Sequence, residues 1–201
     1  MAPAPAFDLF TIGHSNHPIE QFLALMQGAG VTAIADVRSV PSSRRYPWFS
    51  RTRLADRLAR EGLAYVPLGD ALGGRPRDPA LLRDGVADYE AMAGTPEFRA
   101  GLDRVSEGAR SFRICLMCAE REPLDCHRCL LIAPALAARG LAIGHILADG
   151  TIEPHAATEE RLIALAGEGD DLFRDRAAGL AAAYRRRAGS AAYRRSQPTR
   201  T

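Results

Sequence analysis

The chain reads as an α/β domain, a mostly parallel sheet of about five strands with helices on both faces, followed by a helical, basic C-terminal extension. Three observations predict this. Short apolar runs alternate with segments of helical spacing from Phe7 to Ile146. The run Val31 to Val37 is apolar throughout, as a strand buried on both faces of a parallel sheet would be. Glycine or polar clusters follow the runs, where such strands hand over to loops. Right-handed crossovers then make a doubly wound sheet the expected arrangement.

The elements follow in order. Phe7 to Ile12 is a first strand ending in Gly13-His14-Ser15-Asn16. Pro18 to Gln27 carries Ile19, Phe22, Leu23 and Met26 at helical spacing, and Gly28 and Gly30 stop it. Val31 to Val37 is the second strand, leading through Asp36-Val37-Arg38 into a loop with Pro41, Arg44, Arg45, Tyr46 and Trp48. Arg51 to Arg60 is helical and Leu63 to Val66 a third strand. The stretch Leu72-Gly73-Gly74-Arg75-Pro76-Arg77 is too rich in Gly and Pro for an element interior. Pro79 to Ala93 and Pro96 to Glu107 are expected helices, each with proline near its first turn. Ser111 to Met117 is the fourth strand, Cys126 to Arg139 a helix, and Ala142 to Ile146 a fifth strand carrying His145.

Residues 7–150 form the expected domain and 151–201 the extension, with helices over Ala156 to Leu165 and Leu172 to Arg187. The Tyr- and Arg-rich end is expected to be a solvated tail, with a nucleic-acid grip as the alternative.

Composition bounds the function. With 47% hydrophobic and 25% charged residues, the chain has the balance of a folded globular protein. No apolar run approaches the roughly 20 residues needed to cross a bilayer, so no membrane partner is expected. The opening Met1-Ala-Pro-Ala-Pro-Ala lacks the parts of a signal peptide, and a cytoplasmic location with reduced thiols is expected. A net charge of +2 does not by itself point to nucleic acid. All 26 basic residues are arginine, so no lysine is available as a Schiff-base nucleophile or phosphate anchor.

Ligand sites of open parallel sheets lie beyond the carboxyl ends of the strands. His14 and Ser15 leave the first strand there, Asp36 and Arg38 the second, and Cys118 and Glu120 the fourth. Folding does not require this convergence, so it marks a candidate site. Asp125 is placed as an N-cap, putting Cys126, His127 and Arg128 in a helix's first turn. A cysteine there beside His and Arg has a lowered pKa, and the same helix start could hold a phosphate. Gly73 and Gly74 with Arg75 could line an anion site, whereas His17 and His155 read as loop or capping residues and His145 equally as a core histidine or a site residue.

All four cysteines lie within Cys115 to Cys129 as Cys-x-x-Cys pairs, a pattern that suggests zinc. Against a four-cysteine site, the linking loop is short, Cys115 and Cys118 face opposite ways along a strand, and Cys129 shares a helix face with Ile132 and Leu136. A mixed site drawn from Cys118, Cys126 and His127, or His14, holding a divalent metal such as zinc or iron, is the more plausible alternative, although no spacing rule points to it.

The motifs Thr11-Ile-Gly-His-Ser15, Asp36-Val-Arg38 with Pro41 and Ser42, Leu72-Gly-Gly74, Met117-Cys-Ala-Glu120, Pro123 and Cys126-His-Arg128 resemble a bacterial family. It is known only as domain of unknown function number 488. The resemblance runs from about Phe7 to Ile146 and leaves out Cys115, Cys129 and the tail. It implies a compact cytoplasmic α/β domain with a shared polar site, and no reaction.

The expectation is an enzyme, a hydrolase or transferase, acting on a phosphate-bearing small molecule or nucleic acid. His14 or His127 would move a proton, Asp36 or Glu120 would orient it, and Cys118 or Cys126 would be nucleophile or metal ligand. Ser15, Arg38, Arg128, Gly73 and Gly74 would hold the substrate. The alternatives are a non-catalytic nucleotide- or metal-sensing module and a nucleic-acid-binding accessory protein.

Overall fold

The computed structural model describes residues 7–167 and 175–195. The first half contains β1 (Leu9–Gly13), α1 (Ile19–Gly28), β2 (Ala33–Asp36), α2 (Arg51–Arg60), β3 (Ala64–Pro67) and the single turn α3 (Gly69–Leu72). A two-stranded ribbon of β4 (Leu82–Arg83) and β5 (Val86–Ala87) follows, then α4 (Tyr89–Ala93) and α5 (Pro96–Gly108). The second half contains β6 (Ile114–Cys118), α6 (Ala133–Ala137), β7 (Ile143–Ile146), β8 (Ile152–Pro154), α7 (His155–Ala166) and α8 (Arg176–Ala191).

Six strands form one sheet in the order β3-β2-β6-β1-β7-β8. Five run parallel, and β8 adds an antiparallel edge beside β7. Side chains of α1 and α2 (Phe22, Leu23, Met26, Leu54, Leu58) fill one face of the sheet. Those of α5, α6 and α7 (Phe98, Leu102, Val105, Leu136, Leu162) fill the other. The mostly parallel α/β architecture is therefore the one the alternation predicts. The sixth strand is additional, because Ile152 to Pro154 is too short to show a period.

Three expected elements differ. Pro79 to Ala93 is not one helix: a short 3-10 turn (Pro79–Leu81) leads into the ribbon, and only Tyr89–Ala93 is helical. Asp84 and Gly85 take positive φ of 52° and 77°, the backbone of a tight hairpin that an Asp-Gly pair favours. Asp88 then caps the new helix, accepting from the N–H groups of Glu90 and Ala91. Nor does a helix run unbroken from Cys126 to Arg139. Pro123–Asp125 forms a 3-10 turn, Cys126 is extended, and a wide π turn (Arg128–Ile132) precedes α6.

The third difference is the C-terminal end, which is not a solvated tail as far as Arg195. Ala183 of α8 is fully buried, Ala87 N–H donates to Tyr193 O at 2.9 Å, and Arg195 N–H donates to Gly85 O at 2.8 Å. Arg176, Arg185 and Arg187 pair with Glu160, Glu90 and Asp125. Arg194 and Arg195 donate to the carbonyls of Gly189 and Arg77. The rest of the expected tail, 196–201, and the first residues of its expected helix, 172–174, lie outside the described residues. Among the described residues no helix is long and apolar enough to cross a membrane.

One polar chain ties the extension to the sheet. Thr11 Oγ1 lies 2.7 Å from His145 Nδ1, His145 Nε2 lies 3.0 Å from His155 Nδ1, and His155 Nε2 lies 3.3 Å from the Tyr184 hydroxyl. Tyr184 donates to Glu159 at 3.0 Å. Since a hydroxyl has one proton, each earlier link donates the same way, and both imidazoles are neutral Nε2–H tautomers. Burial holds both histidines below their ordinary pKa, in keeping with that. Thr11→Val keeps the shape but leaves the buried His145 Nδ1 without a partner, a loss of about 1–3 kcal/mol. Urea unfolding at pH 7 should show it, and an unchanged midpoint would mean that the chain contributes nothing to stability.

Candidate functional site

The strand order sets the place of the site. From β1 the chain crosses one face toward β2, and from β6 it crosses the other face toward β7, although β1 and β6 are neighbours. Loops leaving adjacent strand ends in opposite directions open a crevice, the usual ligand site of such sheets. The β1 and β6 exits stay joined for two more residues, His14 N–H donating to Cys118 O at 2.8 Å and Ser15 N–H to Ala119 O at 2.9 Å. Gly13 allows this approach, since a Cβ there would fall 1.6 Å from the Glu120 carbonyl oxygen.

Four side chains meet at the floor of the crevice, Cys118, Glu120 and His127 on its lining and Cys126 buried just beneath. One ligand atom from each of Cys118, Glu120, Cys126 and His127 lies within 4.8 Å of all the others. Glu120 Oε2 is 2.9 Å from Cys118 Sγ and 3.1 Å from Cys126 Sγ. His127 Nδ1 is 3.6 Å from the first sulfur and 3.9 Å from the second. His127 Nε2 lies 3.0 Å from Val37 O, which can only accept, so Nε2 carries a proton. In the neutral ring the Nδ1 lone pair therefore faces both sulfurs. Gly74 packs on this ring and holds its orientation, for a Cβ there would come within 2.7 Å of it.

Three acidic groups so close cannot all ionise independently. Burial raises Cys118, and its neighbours Cys126 and Glu120 raise it further. Glu120 is raised by burial and by Cys126. Burial also opposes the Cys126 thiolate, but a hydrogen bond with Cys118 and the charge of Arg128 outweigh it, and Cys126 is pulled well below the ordinary thiol. For His127, burial disfavours the charge while Cys126 favours it, and the net shift is upward.

Arg128 is not a substrate ligand at the cleft. Its side chain is fully buried, with Nη1 donating to Glu120 O at 2.7 Å and Nη2 to Arg121 O at 3.1 Å. Asp125 is not the helix cap either. Cys126 takes that position, its carbonyl accepting from Leu130 N–H at 2.9 Å and its sulfur from Arg128 N–H at 3.5 Å.

A second network lies alongside. Asp36 accepts from Arg38 Nε at 2.8 Å, Arg38 Nη2 at 2.6 Å, the Arg38 backbone N–H at 3.1 Å and the Tyr65 hydroxyl at 2.6 Å. Arg38 Nη1 donates to His14 Nε2 at 3.1 Å, so the protonated His14 Nδ1 donates to Ser15 O at 3.0 Å. His14 also stacks on Phe49, with centroids 4.2 Å apart. With both nitrogens and four carboxylate lone-pair sites engaged, His14 and Asp36 hold Arg38 in place and have no hydrogen-bonding capacity left for a substrate. Arg38 has two of its five guanidinium hydrogens without a partner in these contacts, and it lines the cleft.

The cleft encloses about 170 Å³. Its lining includes Arg38, Gly74, Cys118, Glu120 and His127, and also Ser39, Arg75, Tyr89 and Tyr193. Ser15 bonds to Asn16 and Gly73 packs on Ser39 and the Gly69 carbonyl; neither lines the cleft. Sequence reasoning missed Tyr65, Tyr89, Tyr193 and the Val37 carbonyl as parts of the site. Tyr65 stands two residues before Pro67, the β3 partner of Asp36, but only strand order makes that visible.

The model of a family described as a domain of unknown function, DUF488, matches residues 18–134. The chain belongs to the DUF488 family. The matched segment carries the whole metal-ligand-like quartet together with Asp36, Arg38, Gly73, Gly74 and Arg128. It is shorter at both ends than the expected resemblance, leaving His14, Ser15 and β7 outside. No curated protein and no solved structure matches the chain.

The His14 environment predicts a measurable titration. Burial and the Arg38 charge lower its pKa to about 4, against about 6.5 in an unfolded chain. The neutral ring therefore contributes stability in full above pH 6.5, and that contribution is lost as the pH falls toward 4. Nitrogen-resolved NMR should find His14 neutral, with Nδ1 protonated, down to about pH 4. A midpoint near 6.5 would overturn the assignment.

Proposed function

We propose that this chain is a metal-dependent enzyme, a hydrolase or transferase acting on a phosphate-bearing substrate such as a nucleotide or nucleic acid. Cys118, Cys126 and His127 would hold a divalent ion of the zinc or iron class, with Glu120 as the fourth, displaceable ligand. The observation that carries the reading is the convergence of the four donor atoms within 4.8 Å, with the His127 lone pair turned toward the sulfurs by the Val37 carbonyl. A histidine ligand held by a carbonyl on its other nitrogen is the usual support of a bound metal. Two thiolates, one imidazole and one carboxylate form a donor set suited to tetrahedral zinc.

Charge balance supports the same reading. Two thiolates and a carboxylate carry three negative charges, which a divalent ion and Arg128 would cancel. The bound ion would supply Lewis acidity toward a phosphoryl oxygen. Arg38, held by Asp36 and His14, would pair with the substrate anion, and Arg75 borders the same space. Glu120 is the one partly exposed member of the quartet, and so the one placed to give way to substrate or to take a proton.

A second reading rests on Cys126 alone. Its sulfur caps the helix start and has Arg128 beside it, which favours an activated thiolate with no metal. Elemental analysis of the untagged protein separates the two. About one zinc or iron per chain is expected, falling to a trace in Cys118→Ser and Cys126→Ser. Absence of metal after purification and after reconstitution, together with a thiolate ultraviolet absorbance below pH 7 that Cys126→Ser removes, would favour the thiolate reading and reject the metal one.

A further inference from the structure

The C-terminal segment lies outside the family match, yet it builds one wall of the cleft. Ala191 and Tyr193 line it, next to the loop that carries Gly74 and Arg75. Their position does not depend on side-chain packing alone. The segment adds to the β4–β5 ribbon as a third extended piece, through Ala87 N–H to Tyr193 O at 2.9 Å and Arg195 N–H to Gly85 O at 2.8 Å. Arg187 anchors it at the other end, donating to Leu124 O at 2.9 Å and pairing with Asp125, the residue before Cys126.

The wall has a specific chemistry. The Arg75 guanidinium lies over the Tyr193 ring, 5.3 Å from its centroid, and both border the cleft. Arg75 is held from behind by its own backbone, whose N–H donates to Ser39 Oγ at 3.0 Å. Tyr89 is a further aromatic residue on the lining. Arg38 is 95% buried, has two guanidinium hydrogens to spare and faces the same space. Aromatic faces and a stacked guanidinium accept a planar ring, and base stacking of this kind tolerates any base. Arginine beside them accepts the phosphate.

We infer that Tyr193, stacked with Arg75, packs against the base of a mononucleotide whose phosphate sits toward Arg38 and the Cys-Glu-His quartet. The inference rests on the phosphate-bearing substrate proposed above and narrows it to one that carries a base. Tyr193 and Arg75 favour a base-bearing phosphate over a bare sugar phosphate in it, and the extension that carries Tyr193 gives this chain a wall that the matched family segment does not contain.

Calorimetry on the full chain, with its zinc content measured in parallel, tests this with the four nucleoside 5′-monophosphates and ribose 5-phosphate as probes. The best nucleotide should bind at least about tenfold tighter than ribose 5-phosphate. Tyr193→Leu, which keeps an apolar side chain but removes the aromatic face, should remove that preference while leaving ribose 5-phosphate binding and zinc content unchanged. Tyr193→Phe should retain it. Equal binding of nucleotides and ribose 5-phosphate by the wild type would overturn the inference but not the phosphate reading. Failure of every probe to bind would overturn both. Loss of ribose 5-phosphate binding in Tyr193→Leu would show a merely structural role and also overturn the inference. Zinc content near zero in the wild type would instead strike the metal reading, while the nucleotide preference stands or falls on its own titration.

Discussion

The buried Arg128 guanidinium is the contact on which the site depends. A full positive charge with no exposed surface is expensive unless something compensates it. Here the compensation is local and shapes the chain. The carbonyls of Glu120 and Arg121 turn inward to accept its hydrogens, which curls the loop between Cys118 and Cys126 back on itself. The curl brings Glu120, two residues beyond the strand, to the two sulfurs. The same charge stabilises the Cys126 thiolate that lies at the head of its helix. Without Arg128 the loop would lose both its shape and its balancing charge.

The sheet supplies the second constraint. β6 is inserted between β2 and β1, so three parallel strand ends stand side by side. β1 and β2 contribute the Asp36–Arg38–His14 network, and β6 with the following loop contributes the Cys-Glu-His quartet. The two networks divide the work by donor type. Oxygen and nitrogen partners saturate one another in the first and leave only Arg38 with hydrogens to offer. In the second, soft sulfur ligands and a directed imidazole are left facing one another, an arrangement suited to a metal or a thiolate. Another polar system, the Thr11–His145–His155–Tyr184–Glu159 chain, also gathers histidines, and Cys129 lies close to them. Its hydrogen bonds already occupy every imidazole nitrogen, so it is a fastening between sheet and extension.

Much of this could be read in the chain itself. The alternation of apolar runs and helical spacings determined the parallel α/β class, because both periodicities are local properties of the backbone. The exit of polar residues from several strands marked the site, because parallel strands all present their carboxyl ends on one side. Cys118, Glu120, Cys126 and His127 were accordingly within reach of sequence reasoning, as was the separation of Cys115 from Cys118 by strand alternation. Even the missed ribbon had a local signal in Asp84-Gly85, overridden by the helical spacing around it.

The tertiary structure alone decided what each polar residue does. Whether an arginine faces the cleft or the core depends on which groups surround it, and Arg38 and Arg128 came out on opposite sides of that choice. His14 and Asp36 were read as reactive groups, but strand order brings Tyr65 and Arg38 onto them and saturates both. Tyr193 entered the cleft because the extension pairs with a ribbon about a hundred residues earlier in the chain. Such pairings are set by long-range packing and carry no sequence period. The chain by itself determined that Cys118, Glu120, Cys126 and His127 meet at the strand ends, and the three-dimensional packing decided which other residues join them and which still have a hydrogen bond or a lone pair to give.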